Sequence, residues 1–300
     1  MDPGRVRIAL GPQGADISCE RPDASIVLLG RPADEAAALV PSLYALCSRA
    51  QGLAARLAIA AARGTAQPEH TDPEAAVEAA REHAWRLLFD WPRLLDFEVE
   101  RHLFANFVRE IGAGARRHWG IPQWIDSLED EGPATNLLPH LDAAASAREW
   151  PALSEEFAQA PTWRRQPAET GPLARAHPAP EGGVGVRSRV LARARELQAY
   201  LQGNPGHLGS ASAVPLARGA GRAAVETARG MLLHEAELEN GRVTRYVIVA
   251  PTEWNFHPQG SLAQAAGWPP SGGEAMQRRR IERMVLALDP CVPWEVEVGS

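Results

Sequence analysis

Three thiols stand in the 300 residues, Cys19, Cys47 and Cys291. Taken singly, each reads first as a buried apolar residue, the commonest fate of a free cysteine. Cys291 has more around it. It follows Asp289-Pro290, with Trp294 three residues on and Glu297 three beyond that. The stretch looks like a metal-ligand motif that has lost most of its ligands. A thiolate is a soft donor that suits iron, zinc or copper, so Cys291 as a metal ligand is the hypothesis on which the other residues bear. Three cysteines cannot make a disulfide framework in a chain of this length, and a reducing, cytoplasmic setting is expected.

Other chemistry-bearing segments come in a definite order. Leu43-Tyr44-Ala45-Leu46-Cys47-Ser48-Arg49 lies upstream. Glu169-Thr170-Gly171-Pro172-Leu173-Ala174-Arg175 follows, then Glu226-Thr227-Ala228-Arg229-Gly230. Pro251-Thr252-Glu253-Trp254-Asn255-Phe256-His257-Pro258 comes next, and Asp289-Pro290-Cys291 closes the series. In this order they resemble five motifs of NiFe-hydrogenase large subunits. The first fits the second half of R-x-C-G-x-C, and the next three fit E-x-G-P-L-A-R, E-x-x-R-G and P-T-x-W-N-x-x-P. The last fits the start of D-P-C-x-x-C-x-x-H. Each motif is a modest signal alone, and five in one order are specific. The match is best over 38–62 and 167–297. The chain, 1–300, reads as one large-subunit-like domain whose middle, 120–185, is loop-rich and reduced.

In that family two Cys-x-x-Cys pairs hold nickel and an Fe(CN)2(CO) group. Here the first cysteine of the upstream pair is Tyr44 and the second of the downstream pair is Trp294. The closing His is Glu297, and with only three residues after it no tail is expected for a processing protease. Where the family carries R-I-E-G-H, this chain reads Arg7-Ile8-Ala9-Leu10-Gly11, without the proton-relay Glu. Two thiolates do not complete a nickel site, so neither nickel nor hydrogen activation is expected.

The resemblance is strongest to large-subunit-like accessory proteins of the HupK/HoxV type, and it implies a non-catalytic scaffold or chaperone rather than an enzyme. It implies that Cys47 and Cys291 are the metal ligands of an Fe(CN)2(CO) iron unit, bound transiently, and that Arg229, Pro251 and Thr252 line the pocket of its diatomic ligands. By motif position Cys47 matches a bridging ligand and Cys291 a terminal nickel ligand, so either the iron is displaced or one cysteine alone binds it. The implied partners are the Hyp-type maturation proteins that build the iron unit and the hydrogenase large-subunit precursor. Two other readings stay open, a metal-free chaperone that mimics the large subunit and a degenerate hydrogenase with redox or H2-sensing activity. Arg229 is alternatively an arginine held in an ion pair, with Glu226 the obvious candidate. Glu169, Arg175, Trp254 and Asn255 read as scaffold. His102, His118 and His257 read as structural, and Cys19 as a core or strand residue.

Bulk properties exclude several classes. A net charge of -6 and a pI near 5.9 argue against a nucleic-acid surface, since such proteins usually show a basic face. All 31 basic residues are arginine, which reads as composition bias. No run approaches the roughly 18 apolar residues of a membrane span, and the first residues lack the apolar stretch of a signal peptide.

The elements that must position these residues form an α-rich α+β fold with a helical core and a small antiparallel sheet. Strands are expected over 5–10 and 24–29. A helix is expected from Asp34 to about Ala62, restarted at Pro41, with Cys47 in the early turns after it. Asp72-Pro73 starts another, running to Asp90 and ended by Trp91-Pro92. Further helices are expected over 98–115, 136–148, 151–159, 187–202 and 271–288, with a loop over 171–186. Residues 223–239 should pair with 246–250 about the Asn240-Gly241 turn. Cys47 and Cys291 should then approach each other. Sulfurs more than about 7 Å apart would exclude shared ligation, since a thiolate–metal bond is about 2.3 Å.

Overall fold

The computed structural model describes residues 4–11, 14–20, 22, 24–44, 46–65, 68–99, 101–112, 119–130, 132, 136–176, 184–266 and 273–298. Strand β1 (Arg5–Gly11) buries every second residue, Val6, Ile8 and Leu10, and pairs antiparallel with β2 (Gly14–Glu20), where Cys19 stands opposite Val6. The expected strand at 24–29 is instead a 3-10 turn, Ala24–Leu28. Its inward residues, Ser25 and Leu28, are three apart, the period of that helix rather than of a strand. Ser25 Oγ donates to the Tyr246 carbonyl, and Ile26 is left exposed.

Helix α1 (Ala33–Leu43) continues through Pro41, which therefore does not restart it. Helix α1 is capped by Tyr44 and α2 (Ser48–Ala62) opens at Cys47, so Cys47 is the N-cap residue of α2 rather than part of its early turns. Pro41 has a packing role: a Cβ on Gly52 would come within 2.7 Å of its Cγ, so α1 and α2 touch closely there. After β3 (His70–Thr71), α3 (Pro73–Trp85) starts as expected, with the Asp72 carboxylate accepting the Ala75 N–H at 2.8 Å. Trp91-Pro92 does not end the helical path. The chain passes through a π-helical turn, Arg86–Asp90, into α4 (Trp91–Leu94), where Pro92 occupies a first turn and its missing N–H is harmless. Helix α5 (Arg101–Gly112) buries Phe107 and Ile111. His118 lies outside the described residues.

The middle holds short elements: β4 (Asn136–Leu137), α6 (Ala143–Glu149), α7 (Glu155–Gln159), β5 (Thr162–Trp163), β6 (Gln166–Glu169) and α8 (Pro172–Arg175). The helix expected at 136–148 is thus a strand and a shorter helix, and the loop expected over 171–186 opens with a helical turn. Residues 177–183 of that loop lie outside the described residues. Helix α9 (Val186–Leu201) leads into β7 (Ser210–Ala217), β8 (Ala220–Thr227), β9 (Gly230–Glu239) and β10 (Arg242–Val249). The stretch 223–239 is two strands rather than one, because the chain reverses at Ala228-Arg229 and enters β9 through Gly230 at φ +125. Asn240-Gly241 turns β9 into β10 as expected. The remaining elements are α10 (Pro251–Asn255), α11 (Ser261–Ala266), α12 (Gly273–Leu288) and β11 (Trp294–Val298).

The main sheet is antiparallel with the order β10-β9-β8-β7-β3. Alanine-rich α2 lies against it so closely that a Cβ on Gly221 of β8 would be 2.2 Å from the Ala62 nitrogen. A second sheet, β11-β1-β2, pairs β11 parallel to β1, with Val6 opposite Trp294. It packs with α9, α11 and α12 into a separate apolar core. The α-rich α+β expectation holds. No helix among the described residues is long and apolar enough to cross a membrane.

Candidate metal centre

Cys291 follows α12 by three residues and precedes β11 by three, in a turn fixed from several sides. Thr252, in the first turn of α10, donates its hydroxyl to Cys291 Sγ at 3.0 Å and accepts the Cys291 N–H at 3.2 Å. Two residues upstream, Asp289 is fully buried and adopts φ 58, an unusual conformation for a residue with a Cβ. Three guanidinium groups hold it there. Arg86 Nε from the π-helical turn donates at 2.6 Å, Arg193 Nη1 from α9 at 2.7 Å and Arg229 Nε at 3.2 Å. Arg86 also binds Asp90 and the Pro290 carbonyl. Burial alone would raise the Asp289 pKa, but Arg229, Arg86 and Arg193 together hold its carboxyl well below the usual range. A buried carboxylate with this many cationic donors stays ionised.

Behind this clamp the charges continue. His83, fully buried on α3, donates Nε2–H to Glu196 at 2.7 Å and accepts Arg193 at Nδ1 at 3.2 Å. Burial is the main cause that pushes its imidazole down to about 4. Burial works to raise Glu196, yet Arg175 and His83 bring it to about 2. Arg175 binds both Glu196, at 2.8 and 2.9 Å, and Glu226, at 2.6 Å. Glu226 therefore pairs with Arg175 and with His140, not with Arg229.

Arg229 is 4% exposed, and its ion pairs are with Asp289 and, through Nη2, with Glu82 of α3 at 2.8 Å. Its guanidinium lies close enough to Cys291 for its charge to act on that residue. Two of its three nitrogens are thus engaged, and Nη1 makes no hydrogen bond among the described residues. Pro251 is buried at the start of α10, and the Thr252 hydroxyl is committed to Cys291. The turns carrying these groups interlock through Asn255. Its Oδ1 accepts the Thr170 N–H at 2.9 Å, and its Nδ2 donates to the Arg229 carbonyl at 3.4 Å and the Leu288 carbonyl at 3.2 Å. At Gly171, φ +119, an added Cβ would meet the Arg229 carbonyl at 2.9 Å, which explains the glycine of that segment. Glu169 takes a bidentate bond from Arg189 at 2.7 Å on each side. His257 accepts the Gln259 N–H at Nδ1 in the turn after α10.

Cys47 sits in different company. Gln51, one turn on in α2, donates Nε2 to Cys47 Sγ at 3.8 Å and accepts His234 Nε2 at 2.8 Å, and His234 Nδ1 in turn accepts the Tyr246 hydroxyl at 2.7 Å. This relay is uncharged. Burial pushes His234 down to about 3 and Tyr246 well above its ordinary value. The N-terminus of α2 is tied to α3 by Glu78, which accepts the Arg49 and Ala50 N–H groups at 2.8 and 3.0 Å. Glu78 and Glu82 are one turn apart on α3, so one helix contacts both the Cys47 turn and Arg229. Tyr44 meets the relay at Tyr246. With Cys19, Ser25, Tyr246 and Glu253 it lines a cleft of about 150 Å³.

The structure thus brings Thr252 to Cys291, sets Arg229 beside them through Asp289, and connects Cys47 through α3. Sequence reasoning missed Arg86, Arg193, Glu82 and the Gln51–His234–Tyr246 relay. One signal was available for Gln51 and His83: each interrupts an otherwise apolar face, Gln51 in an alanine-rich helix and His83 between Ala79, Ala80 and Ala84.

Comparisons with known proteins bear on this arrangement. The nickel-dependent hydrogenase family model matches residues 188–293. The hydrogenase expression/formation protein HoxV of Cupriavidus necator is 31% identical over 99% of this chain and 96% of its own length. HupK of Rhodobacter capsulatus is 31% identical over 97% and 96%, and HupK of Azotobacter vinelandii 29% identical over 92% and 91%. Among solved structures, a single-residue variant of the NiFeSe hydrogenase of Desulfovibrio vulgaris Hildenborough superposes with a TM-score of 0.63 at 14% identity, covering 96% of this chain and 93% of that one. An NAD+-reducing NiFe-hydrogenase in the H2-reduced state gives 0.59 at 16% identity, with 97% of each chain covered. At these identities the structural likeness speaks for the fold.

Proposed function

The chain belongs to the family of hydrogenase expression/formation proteins that includes HoxV and HupK, and on that premise we propose that it serves hydrogenase maturation as a non-catalytic scaffold for an Fe(CN)2(CO) unit. The unit is cargo, held before its transfer to the large subunit. The partners in this reading are the Hyp-type proteins that build the unit and the large-subunit precursor that receives it.

The observation that carries the reading is the setting of Cys291. Its sulfur accepts a hydroxyl hydrogen bond at 3.0 Å beside a buried guanidinium cluster, so a donor and positive charge already face the atom that would hold the iron. A low-spin iron that already carries three strong-field ligands needs few further donors, and soft thiolates suit it. Arg229 Nη1 supplies an N–H donor for a cyanide nitrogen. Two thiols in place of four hold cargo less firmly, which suits release. Nothing in this donor set completes a nickel site, and Ala9 stands where a proton-relay Glu would be needed.

A metal-free scaffold mimicking the large subunit is favoured by one observation, the engagement of Arg229 by Asp289 and Glu82. Infrared spectroscopy on protein purified from a maturation-competent host separates the two. CN and CO stretching bands in the wild type, lost in Cys291→Ala, are expected, together with no H2-dependent dye reduction. A band-free wild type would sink the iron cargo and leave the mimic.

A further inference from the structure

Outside the cysteine region, three side chains with metal-binding atoms converge near the surface. They are Glu69 ahead of β3, His140 ahead of α6, and His207 in the turn between α9 and β7. One ligand atom from each lies within 4.8 Å of the other two. The imidazole rings of His140 and His207 stack with centroids 4.1 Å apart and planes 22° from parallel. His140 Nε2 is 2.6 Å from Glu69 Oε1, and His140 Nδ1 is 3.0 Å from Glu226 Oε1.

Glu226 gives this group the organisation of a site. It is 2% exposed and anchored at 2.6 Å by Arg175, so it fixes the His140 ring from behind. A metal-bound histidine commonly donates its other N–H to such a carboxylate, which sets the tautomer and leaves the opposite nitrogen for the metal. Here that nitrogen is Nε2, and it faces Glu69. An ordinary surface ion pair between His140 and Glu69 would need neither the buried carboxylate behind the ring nor a second imidazole stacked on it.

We propose that Glu69, His140 and His207 bind one divalent transition-metal ion of the cobalt-to-zinc series, with Glu226 as the orienting group behind His140. Two imidazoles and one carboxylate are a borderline donor set that suits these ions, whereas Mg2+ and Ca2+ require oxygen donors throughout. Bonds of about 2.0–2.2 Å to three protein ligands leave a fourth tetrahedral position open. Glu69 is exposed and lies in an irregular segment, so its carboxylate can close onto the ion by a side-chain rotation. The site is separate from the cysteines, and the proposal stands or falls independently of the iron cargo.

The test uses the full chain carrying Cys19→Ser, Cys47→Ser and Cys291→Ser, which removes competing thiolates. Zn2+ is titrated calorimetrically and Co2+ by its visible absorption. The expected result is one equivalent bound, weakened at least tenfold by His207→Ala and by Glu69→Ala, with no competition from excess Mg2+. Circular dichroism of both metal-free variants should match their parent. Absence of stoichiometric binding in the serine background, or binding that survives both surface substitutions unchanged, overturns the proposal.

Discussion

Cys47 and Cys291 are held by opposite means. Around Cys291 the structure uses full charges, with Arg86, Arg193 and Arg229 on Asp289 and with Glu82, Asp90 and Glu196 around them. Around Cys47 it uses a neutral chain, Tyr246 to His234 to Gln51 to the sulfur, inside an alanine-rich helix pressed on the sheet. The first arrangement is intolerant, because deleting one ion strands the others in a low dielectric. The second is graded, because each missing link costs one unpaired donor or acceptor. Position at Cys291 is set by charge, and at Cys47 by packing.

The harshest way to break this contrast is Asp289→Ala. It leaves three buried arginines short of a partner, and urea unfolding should show a loss of about 3–5 kcal/mol. A loss below about 1 kcal/mol would mean that the clamp adds nothing. An alanine at 289 has no partner to hold it in the left-handed conformation (φ 58) of Asp289, so the turn carrying Cys291 should lose amide-exchange protection in the same variant.

Acid is the second probe. His234 binds its proton far less readily folded, at about 3, than at its ordinary 6.5, and His83 does so at about 4. The unfolded chain therefore takes up more protons below pH 6.5, and stability falls as pH drops through that window. Each imidazole contributes a loss of about 2 kcal/mol between about pH 6.5 and 5. Asp289 runs differently. Its lowered pKa gives stability that is complete above about pH 4 and is lost only in stronger acid. In a urea series at about pH 7 and about pH 5, His234→Gln should remove roughly half of the decline. An unchanged decline would remove His234 from the account.

Two smaller changes sharpen the comparison on the Cys47 side. Gln51→Leu deprives the His234 N–H of its acceptor and should cost about 1–3 kcal/mol. Tyr246→Phe takes only the last hydroxyl and should cost about 1 kcal/mol. Equilibrium unfolding measures both. In cargo-loaded protein, Gln51→Leu should also shift the CO stretching band, since a hydrogen bond to a ligating sulfur tunes the metal. If the band does not move, Cys47 is not a ligand.

The sequence made some of this legible and hid the rest for identifiable reasons. Five ordered motifs carried the fold and the turn around Cys291, because their residues serve local geometry: glycines at close approaches, Asn255 between carbonyls, Asp72 and Pro73 at a helix start. Strand β7 escaped notice because Ser210–Ala217 is rich in serine and alanine, with few of the branched residues that mark strands. The run at 24–29 has those residues and is nonetheless a 3-10 turn, since only Ser25 and Leu28 find cover. The partners of Asp289 come from α3's continuation and α9, and nothing in the sequence near 289 points to either. The Gln51–His234 contact spans 183 residues, and no periodicity reports it.

The pairing of β1 with β11 has a further consequence, for timing. Arg7 and Glu295, bonded across it, are 288 residues apart in the chain. A parallel pair so distant is closed late, because the entropy of a long loop must be overcome before any contact rewards it. On the ribosome, α1 and α2 emerge early, and Cys47 can be seated once β9 and β10 have followed, before β11 can dock. The half that depends on charge is finished last, when β11 docks and draws the Asp289 turn under its arginines. A Cys291 turn seated under its arginines is then a report that translation and folding are both done.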